Sequence, residues 1–161
     1  MKVTSATTAL LIAANIVAAN AGLIVFSHAH EEHSHYSAGE PGDPKQPART
    51  IRVVMREAGR KMMFEPARVE VRKGEQIKFV LENDGIYDHE FILATPAENR
   101  KHAKVMKKNP DMEHDDPNGK RLASYTDGEL LWRFSKAGTF EFACLIPGHL
   151  QAGMKGVVVV K

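Results

Sequence analysis

Cysteine is nearly absent from this sequence, since Cys144 is the one thiol among 161 residues. A chain with a single cysteine forms no internal disulfide, which excludes the disulfide-rich class of small exported domains. An excess of charge is also lacking: 22 Lys and Arg stand against 20 Asp and Glu. A net charge of +2 gives no reason to expect a nucleic-acid partner. The length allows one compact domain of ordinary size.

The first 29 residues have the pattern of an export signal. Lys2 is the only charge before Glu31, an apolar stretch follows it, and small residues offer cleavage after Ala21 or after Ala29. An uncleaved membrane anchor is the alternative, because the apolar stretch approaches the length of a bilayer span. We expect cleavage after Ala29, since cleavage after Ala21 would leave the apolar residues 23–26 on a free end. The mature protein is then periplasmic, without stable membrane insertion.

Residues 30–49 differ in composition from the rest of the chain. They are rich in His, Glu, Pro, Gly and Ser and contain almost no aliphatic side chains. Such a segment buries too little apolar surface to offset the entropy of ordering it. We therefore expect a flexible His-rich tail over 30–49 and a folded domain over 50–161.

Alternation of apolar and polar residues dominates the predicted domain. It recurs at 51–56, 67–72, 77–82, 130–134 and 140–142, and the chain ends on the apolar run 157–160. Short strands at such spacing predict an all-β sandwich or small barrel. One short helix is expected after Thr95, because Thr95-Pro96-Ala97-Glu98 is a capping box with proline at the first helical position. The polar stretch 111–125 has the composition of a loop.

A thiolate, an imidazole and a thioether occur close together near the C-terminus. Cys144, His149 and Met154 have the spacing C-x4-H-x4-M, and a second imidazole, His89, precedes Phe91 on a predicted strand. Strand parity turns Cys144 and His89 toward the core, where a thiol and a polar ring need a partner. One sulfur and two imidazoles with a weak axial Met are the ligands of type 1 copper. We expect His89 to be buried and His149, on a loop, to face solvent.

The ligand segment also carries a family resemblance. Residues 142–149 together with Gly153-Met154-Lys155-Gly156 resemble the ligand loop of cupredoxins, and 69–83 followed by His89-Glu90-Phe91 resemble the strands that present the first ligand histidine. The resemblance implies a Greek-key β-sandwich or barrel that binds one type 1 copper ion. Some small blue copper proteins have Asn after that histidine, where it braces the cysteine loop; this chain has Glu90.

Other metal proteins share parts of this ligand set. Zinc also binds Cys and His, but a thioether as fourth ligand favours copper. A dinuclear copper centre requires two cysteines, and copper oxidases or nitrite reductases require further copper sites. We therefore expect a metal-binding protein and not an enzyme.

Two functions remain open for such a site. The protein either handles copper for tolerance, by buffering it or changing its oxidation state, or it carries electrons between redox partners. A periplasmic redox or copper-transfer protein is a candidate partner in both cases. The His-rich N-terminus and other extra ligands resemble the periplasmic copper-tolerance cupredoxins. A further copper ion could bind on the tail or at secondary ligands: His30, His33, His35, Met62, Met63, Met112 and His114.

Overall fold

A computed structural model describes residues 36–110 and 116–161 as two five-stranded β-sheets that enclose one core. One sheet has the strand order β1-β8-β5-β2-β3 and the other β4-β10-β9-β6-β7. The predicted all-β sandwich is thereby confirmed. The strands are β1 Glu40–Pro41, β2 Arg49–Ala58, β3 Lys61–Glu65, β4 Arg68–Val71, β5 Gln76–Asn83, β6 His89–Ala94, β7 Gly119–Leu122, β8 Asp127–Arg133, β9 Gly138–Ala143 and β10 Lys155–Val160.

The predicted alternation produces the core. Along β5, Ile77, Phe79 and Leu81 are fully buried, and they belong to the same cluster as the aromatic rings of the facing sheet. Among those rings, Phe91 and Phe142 stack with centroids 5.0 Å apart. Truncating one such ring to alanine typically costs about 3–5 kcal/mol of stability. This stack lies close to the candidate ligands, because Phe91 follows His89 by two residues and Phe142 precedes Cys144 by two.

A single helix in the described part of the chain, α1 Pro96–Met106, covers the outer side of β6. Thr95 caps it, with the reciprocal Thr95–Glu98 hydrogen bonds of a capping box, as predicted. Met106 and Ile92 pack together in a second apolar cluster, so that β6 is buried on both faces. Within the described residues, no helix is long and apolar enough to cross a membrane.

The predicted loop over 111–125 is partly wrong, because β7 lies within it. This strand pairs with β6 alone, with Glu90 opposite Arg121. Only Leu122 of its four residues is buried. An edge strand with one buried side chain shows no alternation long enough to be recognised in the sequence.

The predicted tail boundary also needs correction. Ala38 is fully buried and its carbonyl accepts a hydrogen bond from Trp132 Nε1 at 3.2 Å. Tyr36 packs edge-on against the same indole, and β1 pairs with β8. Residues 36–49 are therefore part of the folded domain, held by backbone pairing and small side chains that composition alone does not reveal. Residues 30–35 and the signal segment lie outside the described residues.

Trp132 provides a test of this boundary, since it is the only tryptophan in the chain. A metal-free protein that begins at Asp43 should emit at longer wavelength and unfold at a lower temperature. It loses an aromatic contact and a buried hydrogen bond, together worth roughly 2 kcal/mol. A protein that begins at Tyr36 is the control and should match the longer chain. If all these proteins have the same emission wavelength and the same unfolding temperature, the folded domain begins near Thr50 and not at Tyr36.

Candidate metal centre

The four predicted ligands come from two neighbouring parts of one sheet. His89 is the first residue of β6, and Cys144 directly follows β9, which pairs with β6. His149 lies in the loop between β9 and β10, and Met154 directly precedes β10. The β9–β10 hairpin and the β6–β9 pairing thus bring one strand-borne and three loop-borne side chains to the same end of the sandwich.

Backbone hydrogen bonds fold the loop between Cys144 and Met154 back on itself. The amide of Cys144 donates to the carbonyl of Met154 at 3.1 Å, the amide of Met154 to His149 at 3.1 Å, and the amide of His149 to Ile146 at 3.0 Å. Gly148 and Gly153 have φ of 96° and 99°, a left-handed conformation that favours glycine. The two glycines thus allow the tight turns that place His149 and Met154 beside Cys144.

Three donor atoms meet in this pocket. His89 Nδ1 lies 3.2 Å from His149 Nδ1, and Cys144 Sγ lies 3.3 Å from His149 Nδ1. Together these residues form the one group of three or more His, Cys, Asp or Glu side chains with metal-binding spacing within 36–110 and 116–161. Met154 is fully buried in the same core cluster as Cys144.

The arrangement of these donors fits a single ion. Two imidazole nitrogens about 2.0 Å from one metal lie roughly 3.3–3.5 Å apart in a tetrahedral or trigonal arrangement, close to the observed 3.2 Å. Thiolate, two imidazoles and a nearby thioether are soft and intermediate ligands, the combination that copper prefers. The residues present therefore fit a copper ion.

The protonation states of Cys144, His89 and His149 also fit a bound copper ion. Burial raises the pKa of the Cys144 thiol to about 12. Burial also lowers the pKa of His89 and of His149, and the neighbouring His89 lowers that of His149 further. Both rings are thus neutral in the ordinary pH range, which is the form that binds metal. The thiol loses its proton when a cation takes the proton's place.

Glu90 contacts the sulfur through its backbone. Its amide donates to Cys144 Sγ at 3.3 Å, so this contact does not depend on the side chain that replaces asparagine. The carboxylate is buried, and its Oε1 lies 4.0 Å from Nη1 of Arg121 on β7. Arg121 also donates to Asp88 at 3.2 Å. The residue that follows the first ligand histidine is thus a buried carboxylate with Arg121 beside it.

The two histidines differ in exposure, in the predicted order. His89 is fully buried, whereas His149 is partly exposed. Tyr87 lies on the solvent side, 51% exposed, with its ring centroid 6.4 Å from that of His149. His149 is therefore the ligand nearest to solvent.

Sequence reasoning missed one residue of the site, Glu57 at the end of β2. Its Oε1 lies 2.9 Å from His89 Nε2. Burial opposes its ionisation, but hydrogen bonds from the amides of Ile86 and Tyr87 and from His89 outweigh burial, so the pKa of Glu57 lies below its ordinary value. No local motif marks this residue, because Glu57 and His89 are 32 positions apart.

Two of the predicted secondary ligands, Met62 and Met63, lie among the described residues, on β3. Met62 is partly buried against the main core, and Met63 is the next residue of β3. Successive strand residues point to opposite faces, so the two side chains extend to opposite faces of β3, and copper binding by either one stays a prediction. The other predicted secondary ligands lie outside the described residues: His30, His33, His35, Met112 and His114.

Known proteins resemble this chain in sequence and in fold. Residues 51–161 match the family described as copper binding proteins, plastocyanin/azurin family. A copper-resistant cuproprotein CopI of Rubrivivax gelatinosus is 50% identical over 135 residues, which are 84% of this chain and 79% of that protein. A CopI of Pseudomonas aeruginosa is 34% identical over an alignment of 170 residues, covering 87% and 92% of the two chains. The auracyanin B structure superposes with a TM-score of 0.61 at 22% identity, over 77% of this chain and 96% of that one.

The protonation of Cys144 can be measured by alkylation. At pH 8 a thiol of pKa about 12 is ionised in about one molecule in ten thousand. The folded metal-free protein should therefore react with iodoacetamide far more slowly than the protein in urea. As pH rises, the rate in urea should level off above the ordinary thiol pKa of 9.0, while the folded rate should keep increasing toward pH 12. Rapid alkylation of the folded protein at pH 8 would contradict a buried, protonated thiol.

Proposed function

Because the chain belongs to the plastocyanin/azurin family of copper-binding proteins, we propose that it is a periplasmic type 1 copper protein that serves in copper tolerance. The observation that carries the proposal is the meeting of Cys144 Sγ and two imidazole Nδ1 atoms, with neighbouring atoms 3.2–3.3 Å apart. A copper ion bound there supplies a one-electron couple between Cu(I) and Cu(II).

Each residue of the centre has its own task. His89 and His149 would hold the ion through Nδ1, and Cys144 would hold it as a thiolate that also accepts the Glu90 amide hydrogen bond. Met154 would hold the ion weakly through its thioether, and it would adjust the reduction potential more than it anchors the ion. A site built for structural zinc would have another thiolate or imidazole in that position.

Copper tolerance is favoured by the relatives and by the sequence. Two relatives that align over most of this chain are named copper-resistant cuproproteins. The export signal expected over 1–29 supports a periplasmic location. The extra ligands at His30, His33 and His35 suit a protein that meets copper in excess, since clustered imidazoles bind copper well.

The closed pocket supports a binding role and not an enzymatic one. His89, Cys144 and Met154 have no exposed surface, and with His149 they would supply four protein ligands to the ion. Catalytic metal sites keep a position open for substrate or water. The proposed protein therefore exchanges electrons or copper without binding an organic substrate at the metal.

Electron transfer is the second candidate function. His149 is partly exposed near the ring of Tyr87, and Tyr87 and the preceding Ile86 are 51% and 61% exposed. An apolar surface next to an exposed ligand suits brief contact with a redox or copper-transfer protein. This surface serves a tolerance protein equally well if it passes electrons or copper onward.

Growth on copper separates the two functions. In a Gram-negative bacterium deleted for its own protein of this family, the wild-type gene should restore growth at elevated copper and Cys144→Ser should not. A gene that lacks the codons for residues 30–35 should restore growth only partially, because its product keeps the Cys144 centre but loses the three tail histidines. A Lys45→Gln variant, changed at an exposed residue, is the control and should behave as wild type. Unchanged copper tolerance in the deleted strain, with impaired respiratory growth at low copper, would favour the electron carrier.

A further inference from the structure

Glu57 contacts His89 on the side of the ring opposite to the metal-binding nitrogen. Its Oε1 accepts a hydrogen bond from His89 Nε2 at 2.9 Å, where the His89 side chain is fully buried and that of Glu57 is 16% exposed. Because Nε2 carries the hydrogen in this bond, the lone pair of the neutral ring is on Nδ1. Nδ1 is the atom that lies 3.2 Å from His149 Nδ1. The carboxylate thus selects the ring form that can bind a metal.

The carboxylate is itself fixed by the loop between β5 and β6. The amide of Ile86 donates to Oε2 at 3.1 Å and the amide of Tyr87 to Oε1 at 3.3 Å. A side chain at Gly85 would place its Cβ 2.6 Å from both carboxylate oxygens. Glycine at this position therefore lets the loop close over Glu57.

Asn83 holds that loop in place. Its side-chain amide donates to the carbonyls of Tyr87 at 2.8 Å and Ala123 at 2.9 Å, and its Oδ1 accepts from the amide of Gly85 at 3.0 Å. Asn83 is buried. A continuous set of hydrogen bonds therefore runs from Asn83 through the loop and Glu57 to His89.

We infer that Glu57 is a positioning residue of the metal centre, which orients His89 and favours Cu(II) over Cu(I). A ligand imidazole that donates to a carboxylate binds its metal more strongly. A negative charge one ring away from the ion stabilises the more highly charged oxidation state. The inference rests on the proposed copper-binding function. It adds to the four ligands a residue, Glu57, that does not contact the ion but controls the orientation of His89 and the oxidation state of the copper.

Two substitutions separate the charge from the hydrogen bond. Glu57→Gln keeps one acceptor oxygen for His89 Nε2 but removes the charge and the acceptor of the Ile86 amide, so the reduction potential should rise while copper stays bound. Glu57→Ala removes both, and Cu(II) affinity should fall by about 10- to 100-fold, with a smaller loss for Cu(I). Each tenfold difference between the two losses corresponds to a potential higher by about 59 mV.

The control is Glu75→Gln. Glu75 accepts a backbone amide hydrogen bond from Arg72 at 2.8 Å and pairs with Arg49, but it precedes β5 and so lies at the other end of the sandwich from the β5–β6 loop. It loses the same charge without touching a ligand. Its potential and copper affinities should equal those of the wild type, whatever its melting temperature.

The readouts are the reduction potential, the affinities for Cu(I) and Cu(II), and the ¹⁵N shifts of His89 in the metal-free protein. We expect a single Nε2-protonated form in the wild type and a mixture in Glu57→Ala. Wild-type protein that fails to bind copper would overturn the proposed function. A wild-type copper centre whose potential stays the same in Glu57→Gln would overturn this inference alone, and so would a metal-free Glu57→Ala protein with His89 in a single Nε2-protonated form. If Glu57→Ala fails to fold, Glu57→Gln carries the test.

Discussion

A thiol buried without access to water, facing two neutral imidazoles, is the constraint on which the rest of this structure depends. Burial keeps Cys144 protonated in the absence of a cation, and it keeps His89 and His149 uncharged. The pocket therefore has donor atoms ready for a soft cation and no charge of its own among the three. The cost of burying these polar groups is offset when one ion binds all of them.

The fold meets this constraint by dividing the ligands between a rigid and a more exposed part. His89 begins a strand that is buried on both faces. It donates a hydrogen bond to Glu57, and the β5–β6 loop holds that carboxylate in place. His149 comes from a loop at the surface, where it is partly exposed. One side of the site is thus fixed by the fold, and the other side lies nearest to solvent.

Much of this arrangement could be predicted from the sequence, because it depends on local patterns. Alternation identified the main strands, the Thr95–Glu98 capping box identified the helix, and strand parity turned His89 and Cys144 inward. What remained hidden depends on contacts between distant residues. The edge strand β7 has one buried side chain, residues 36–49 are held by pairing with β8 and by Trp132, and Glu57 acts on a histidine 32 positions away.

The optical and electron-paramagnetic spectrum of the purified protein with Cu(II) tests the central claim most directly. A cysteine thiolate bound to Cu(II) in a type 1 site predicts an intense visible charge-transfer band with one copper per Cys144 centre. In Cys144→Ser that band should vanish and leave the weak spectrum of an ordinary cupric site. A wild-type protein that binds zinc in preference at this site, or that binds Cu(II) without the intense band, would contradict the account.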